Sequence, residues 1–107
     1  MHTVYYIRNI KTHHIYIGVT KEPLKRRIAQ HYYKLRKGVH TNNALQQAWD
    51  ADGVESFLYG AIVRIPSRET IPARFRPTVE EERWIQVYKS DDPRYGYNQS
   101  YKIKSIL

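Results

Sequence analysis

The chain of 107 residues contains no cysteine. Disulfides, thiolate nucleophiles and cysteine-ligated zinc are therefore excluded. No apolar run is long enough to span a bilayer, and no signal-peptide pattern opens the sequence, so a soluble, cytoplasmic protein is expected. Gly/Ser linkers, internal repeats and a second compositional block are also missing, and residues 1–107 read as a single domain with a modest core. Acid is scarce in one region in particular. Residues 1–40 hold nine Lys/Arg and one carboxylate, Glu22, whereas residues 41–107 hold nine of each, so the whole formal net charge of +8 sits in the first part. Cations concentrated there and interleaved with tyrosine point to a polyanion such as nucleic acid. A solvated basic helix face would have the same composition.

The segment Ile15-Tyr16-Ile17-Gly18-Val19 alternates aliphatic residues with Tyr16 and Gly18, the period of a half-buried strand. Gly18 suggests a close approach to the backbone or a sharp exit. Upstream, Val4-Tyr5-Tyr6-Ile7-Arg8-Asn9 reads as a partner strand, and Ile10 to His13 is short enough to close a hairpin. If Ile15, Ile17 and Val19 face the core, the register that sets Val4 beside them leaves Tyr5 and Tyr16 together on the opposite face. Such a pair can be an ordinary cross-strand aromatic contact. It can also be a phenol available for phosphodiester chemistry if a cation stands beside it.

A cation follows. Thr20-Lys21-Glu22-Pro23 forms a turn, with Pro23 suited to the first position of a helix. Leu24, Ile28 and Leu35 then define a buried helical stripe. At about 100° per residue Arg26 falls roughly opposite that stripe, with Lys37 nearby, while Arg27 and His31 lie on its flank. This distinguishes Arg27 as the arginine able to reach along the sheet. Lys21, Lys25, Arg26 and Lys34 remain as candidates for contact with a nucleic-acid backbone. Gly38, after Arg36 and Lys37, is placed to end the helix. Thr41 or Asn42 can cap a second helix carrying Ala44, Leu45, Ala48 and Trp49 and ending near Asp52-Gly53.

A third strand is predicted over Phe57 to Ile65, with Phe57, Tyr59, Ala61, Val63 and Ile65 on one face. Residues 66–77 read as a proline-bounded loop whose Arg68, Arg74 and Arg76 are candidates for nucleic-acid contact. A third helix begins at Thr78. Thr78 and Glu81 have the spacing of a capping box, which offers Glu81 a purely structural role. Equally, a carboxylate is the ligand a hard divalent ion takes, with phosphate oxygens and water completing its shell; the run Glu80-Glu81-Glu82 also suits a helix N-terminus. His2, His13, His14 and His31 show no recognisable metal-site spacing.

The tyrosine motifs, the arginine after the turn, Glu81-x-x-Trp84-Ile85 and Gly96-Tyr97-Asn98, taken in order from Thr3 to about Asn98, resemble the GIY-YIG nuclease domain. The likeness is to the catalytic domain of intron-encoded homing endonucleases of that family. It implies an α/β (α+β) fold, a small three-stranded antiparallel sheet flanked by helices. It also implies divalent-metal-dependent endonuclease activity on DNA, duplex or single-stranded, in which water attacks a phosphodiester. Tyr5 or Tyr16 would assist deprotonation, Arg27 would steady charge on the phosphate, and Glu81 would hold one Mg²⁺ or Mn²⁺. The Arg-x-x-x-His spacing matches Arg27 and His31, and Lys37-Gly38-x-His40 places His40 with them. Asn98 falls at the edge of the site. Thr3 stands where the family's first motif has glycine. Homing relatives owe site recognition to a separate DNA-binding domain, so low intrinsic sequence preference is expected of residues 1–107. Two other readings stay open: a non-catalytic nucleic-acid-binding module on this fold, and a single-strand-specific nuclease.

Overall fold

The computed structural model describes residues 1–66 and 77–99. Three strands, β1 (His2–Asn9), β2 (Ile15–Thr20) and β3 (Phe57–Ile65), form an antiparallel sheet in the order β2-β1-β3. Among the described residues three α-helices accompany it: α1 (Leu24–Lys37), α2 (Asn43–Asp52) and α3 (Pro77–Tyr88). The expected sheet flanked by helices is what the chain adopts. Among the described residues no helix is long and apolar enough to cross a membrane.

The hairpin register follows the burial pattern. Val4 pairs with Val19, Tyr5 with Gly18 and Ile7 with Tyr16. Tyr5 and Tyr16 therefore share a face as diagonal neighbours, their ring centroids 6.4 Å apart. Thr3 takes an ordinary place in this sheet, paired with Thr20 on one side and Arg64 on the other.

Each face of the sheet carries its own core. On one, Tyr5, Ile7 and Phe57 pack with Ile28 and Leu35 of α1 and Leu45 and Trp49 of α2. On the other, Val4, Ile15, Ile17 and Ile65 pack with Ile85 of α3. Each fully buried aliphatic side chain stabilises the fold by roughly 1.5–3 kcal/mol. Because β1 is central, both cores close over it, and its side chains are the most deeply sequestered.

Two sequence expectations change in detail. The alternation in β3 does not persist, because Tyr5 pairs with Ala61 but Val4 with Val63, leaving Ile62 as the extra residue of a β-bulge. Faces exchange across the bulge: Phe57 belongs to the α1/α2 side, and Val63 and Ile65 to the α3 side. Pro23 is the N-cap of α1 rather than its first helical residue, its carbonyl accepting from the N–H of Arg26 at 3.0 Å and of Arg27 at 3.1 Å. At the other end Gly38 adopts φ 74°, the left-handed cap that lets its N–H reach the Leu35 carbonyl at 3.1 Å. Asn42 is the cap of α2, accepting from the Leu45 N–H at 3.0 Å.

Gly18 has an ordinary backbone, and its role is to leave space. A Cβ there would lie 2.5 Å from the Tyr5 hydroxyl oxygen and from the adjoining ring carbon. The Tyr5 ring crosses directly over the glycine. Gly18→Ala should therefore cost about 1–3 kcal/mol, as overpacking of a buried site does. Urea unfolding of the variant measures this, and an unchanged midpoint would show that Tyr5 can move aside freely.

Candidate active site

β2 is an edge strand, so the two helical layers meet beside it. A cleft of about 260 Å³ opens there. Tyr16 lines it from the α1 face of the strand and Ile17 from the α3 face. α1 contributes Arg27, Gln30, His31 and Lys34, residues spaced to fall along one side of a helix. The loop after α1 adds His40, Thr41 and Asn42, and α3 adds Glu81 and Ile85, one turn apart. Asn98 and Gln99 close the cleft at the end of the described chain. Tyr5 lies beneath this surface, 1% exposed.

A directed chain of hydrogen bonds runs under the cleft. The Asn42 backbone N–H donates to His40 Nδ1 at 3.0 Å. A peptide N–H can only donate, so His40 Nδ1 carries no proton and a neutral His40 holds its proton on Nε2. That proton faces His31 Nδ1 at 2.8 Å, which must accept. Neutral His31 then holds its own proton on Nε2, facing the Tyr5 oxygen at 2.6 Å. The Arg27 guanidinium and the Tyr16 hydroxyl also address that oxygen, and both favour its phenolate form. Burial works against them and is the larger effect, so the Tyr5 pKa is raised overall, with nearby Glu81 adding to the rise.

Both histidines are kept neutral. Burial, then the charges of Arg27, His40 and Lys34, bring the His31 pKa down to about 3. Burial, then Lys34 and Arg27, lower that of His40. Neutrality is what the relay requires, since a doubly protonated imidazole could not accept at Nδ1. Gln46 holds the His40 backbone: its Oε1 accepts from the His40 N–H at 3.0 Å, and its Nε2 donates to the Leu35 carbonyl at 3.0 Å. Neither Gln46 nor Asn42 was singled out as a site residue from sequence. Their only signal there is a polar side chain on the mostly apolar stripe of α2 and at its cap.

The wheel's separation of the two arginines has a structural counterpart. Arg27 lines the cleft, whereas the Arg26 side chain is 72% exposed and pairs with Glu22 at 3.9 Å. Lys34 is exposed at the rim of the cleft, and Lys21 and Lys25 are exposed outside it. Arg68, Arg74 and Arg76 lie outside the described residues.

Among the described residues Glu81 is the one carboxylate lining the cleft. The capping-box alternative loses its geometry, because Pro77 already begins α3 and Thr78 stands inside the first turn. No described cation lies within ion-pair distance of Glu81. Burial, with Glu82 adjacent, raises its pKa. Among the described residues no group of three or more histidines and carboxylates converges on one point, so a divalent ion would find one anionic anchor rather than a cage. That donor set suits a hard ion that keeps its waters and shares substrate oxygens, as Mg²⁺ does. The site fits such an ion through Glu81.

Asn98 reaches the cleft by acting as a piece of strand. Its Oδ1 accepts from the Ile17 N–H at 2.8 Å and its Nδ2 donates to the Ile17 carbonyl at 2.8 Å. Just before it, Gly96 forms a parallel bridge with Ile15, so close that a Cβ would run into the Ser90 backbone and the Ile15 carbonyl. The Gly-Tyr-Asn segment thus covers the edge that β2 would otherwise present.

A sheet with helices on both faces, and with tyrosines, a guanidinium, neutral imidazoles and a carboxylate around an edge-strand cleft, describes a phosphodiester-cleaving class of domain. Residues 1–98 match the family model of the GIY-YIG catalytic domain, and the chain belongs to the GIY-YIG family of nucleases. Its fold resembles the catalytic domain of homing endonuclease I-TevI, with a TM-score of 0.78 at 24% identity over 94% of this chain and 99% of that one. A glutamate-to-alanine mutant of that catalytic domain, described as from intron endonuclease I-TevI, superposes with a TM-score of 0.76 at 25% identity over 94% and 95% of the two chains. Among curated proteins none matches the chain.

The neutral histidines leave a signature in stability. With a native pKa far below its unfolded value of 6.5, His31 binds a proton more readily in the unfolded chain between about pH 3 and 6.5. Stability is therefore lost as pH falls through that window, by up to about 1.4 kcal/mol per pH unit per histidine. The raised Glu81 pKa acts with the opposite sign, so a comparison of variants isolates the effect. The stability advantage of the wild type over His31→Gln should shrink between pH 7 and pH 4.5 in urea titrations. A constant difference would mean that His31 is not held neutral.

Proposed function

We propose that this domain is a divalent-metal-dependent endonuclease that hydrolyses DNA phosphodiester bonds with low intrinsic sequence preference. The observation that carries the reading is that Tyr16, Arg27, His31, His40, Glu81 and Asn98 line one cleft, with the Tyr5 oxygen directly beneath. Arg27 and Glu81 come from different helices and form no ion pair that would account for their sharing the cleft. A phosphodiester entering it would use both.

Arg27 sits at the cleft wall and faces charge that develops on the phosphate, with stabilisation that exceeds what the ground state receives. Tyr16 is the tyrosine that meets attacking water, because it lines the cleft and Tyr5 is sequestered. Tyr5 lies behind it, its oxygen hydrogen-bonded with Tyr16 and supported by the His31 Nε2–H and by Arg27. The proton that water releases is taken by the phenolate form of Tyr16, which the nearby Arg27 charge favours. His31 and His40 act as neutral donors in this arrangement and orient the Tyr5 oxygen. Glu81 would hold Mg²⁺ or Mn²⁺, with phosphate oxygens and water completing the coordination. When bound, the ion supplies stabilisation of negative charge on the phosphate and on the leaving oxygen. Asn98 fixes the strand that carries Tyr16.

Binding should be salt-sensitive and largely indifferent to sequence, since exposed Lys21, Lys25, Arg26 and Lys34 offer phosphate contacts. Arg74 and Arg76 are proposed to add to them.

Incubation with supercoiled plasmid and with single-stranded DNA, in Mg²⁺ or in EDTA, tests the reading. Nicking or linearisation in Mg²⁺ alone, without discrete fragments, is the expected result. Cleavage in EDTA would remove the metal, one discrete pair of fragments would remove the low preference, and binding without cleavage would leave a nucleic-acid-binding module. Glu81→Gln should remain folded and bind DNA while failing to cut it, because glutamine keeps the shape but not the anionic oxygen. Wild-type cleavage by this variant in a plasmid assay would dismiss Glu81 as the metal ligand.

A further inference from the structure

The only carboxylate in the first forty residues has an unexpected partner. Glu22 Oε2 accepts from Gln30 Nε2 at 2.9 Å, and Gln30 Oε1 accepts from Arg27 Nη1 at 3.0 Å. Glutamate at neutral pH can only accept and arginine can only donate, so the ends of this chain fix the orientation of the Gln30 amide between them. A side chain at position 30 must accept on one side and donate on the other. Glutamate there would repel Glu22, lysine would repel Arg27, and an aliphatic residue would serve neither.

Glu22 is itself held in place. Its backbone N–H donates to Thr20 Oγ1 at 3.0 Å, anchoring the turn between β2 and α1 to the last residue of β2. Its second oxygen faces the exposed Arg26 at 3.9 Å, an ion pair too long and too wet to govern the geometry. The carboxylate thus divides between two consecutive arginines, touching the surface one directly and the cleft one through an amide.

We infer that Gln30 and Glu22 are positioning residues that hold the Arg27 guanidinium in its cleavage-competent orientation. This rests on the reading of Arg27 as the phosphate-stabilising group. An arginine side chain has four rotatable bonds, and its stabilising effect depends on pre-set aim. Gln30 Oε1 and the Tyr5 oxygen each take a hydrogen bond from this guanidinium, which lines the cleft. A lone acid in a basic region also lowers net attraction for a polyanion, and its use as an anchor accounts for its presence.

The test uses the full chain, supercoiled plasmid with Mg²⁺ for single-turnover cleavage, and a labelled duplex in EDTA for binding. Gln30→Leu should slow cleavage by about tenfold, less than the 10²–10³ expected of Arg27→Ala as a single electrostatic stabiliser. Duplex affinity and melting temperature should stay close to wild type. Glu22→Ala should slow cleavage, and Glu22→Gln should restore most of the rate, since its amide oxygen can still accept from Gln30. In an Arg27→Ala background Gln30→Leu should have no further effect, because it acts only through Arg27. Arg27 guanidinium N–H resonances supply a readout independent of activity: protected in wild type and Glu22→Gln, exchange-broadened in Gln30→Leu. Wild-type cleavage by Gln30→Leu while Arg27→Ala is slow, losses that add fully in the double variant, or unchanged guanidinium resonances would overturn the inference. Unimpaired cleavage by Arg27→Ala would instead reject the role given to Arg27, and an intact plasmid with wild type would reject the nuclease reading, with the resonances still judging the relay.

Discussion

A phenol oxygen is buried under the cleft, and much of the local architecture exists to satisfy it. The Tyr5 ring belongs to the core formed with α1 and α2. An unpaired hydroxyl in that position would cost several kcal/mol on the least forgiving scales. The chain answers with donors: His31 at 2.6 Å, backed by His40, backed by the Asn42 peptide. Gly18 leaves the space through which the ring passes. Core packing and the polar chain under the cleft therefore draw on the same side chain. A change that relaxes the core also moves the Tyr5 oxygen.

The second constraint is the position of β2 at the sheet edge. An edge strand exposes unpaired backbone groups, and this one is covered by the Gly96–Asn98 segment and the Asn98 amide. Asn42 donates its side-chain amide to the Tyr97 carbonyl at 2.6 Å, tying that segment to the histidine relay. The cover of the edge and the polarity of the relay are thereby linked through one residue. Glu81 and Arg27 line one cleft only because the layer holding α3 and the layer holding α1 both reach this edge.

Much of this was legible from the amino-acid order, and the limits have physical causes. Hairpin register followed from burial, because a one-residue slip would have exposed Ile15, Ile17 and Val19. The helical wheel separated Arg27 from Arg26 because helix geometry is nearly invariant. The β3 bulge was not legible, since Ile62 and Val63 are both aliphatic and hide a change of face within an apolar run. Gln30 and Gln46 escaped notice, and Asn42 was read only as a helix cap, because a polar network is specified by tertiary proximity, not by local pattern. Glu81 offered two local meanings, a helix cap and a ligand, and only the start of α3 at Pro77 removed the first. The roles given to the site residues came through the family likeness, which the match over residues 1–98 supports at the level of the domain.

The claim on which the account turns is that the relay runs one way, from the Asn42 peptide to the Tyr5 oxygen. Nitrogen NMR of the two histidine rings measures it directly. Both His31 and His40 should show a protonated Nε2 and a bare, hydrogen-bonded Nδ1 at pH 8, and the His31 pattern should be unchanged down to pH 5. A proton on His40 Nδ1, or a His31 ring that titrates near pH 6.5, would contradict the account.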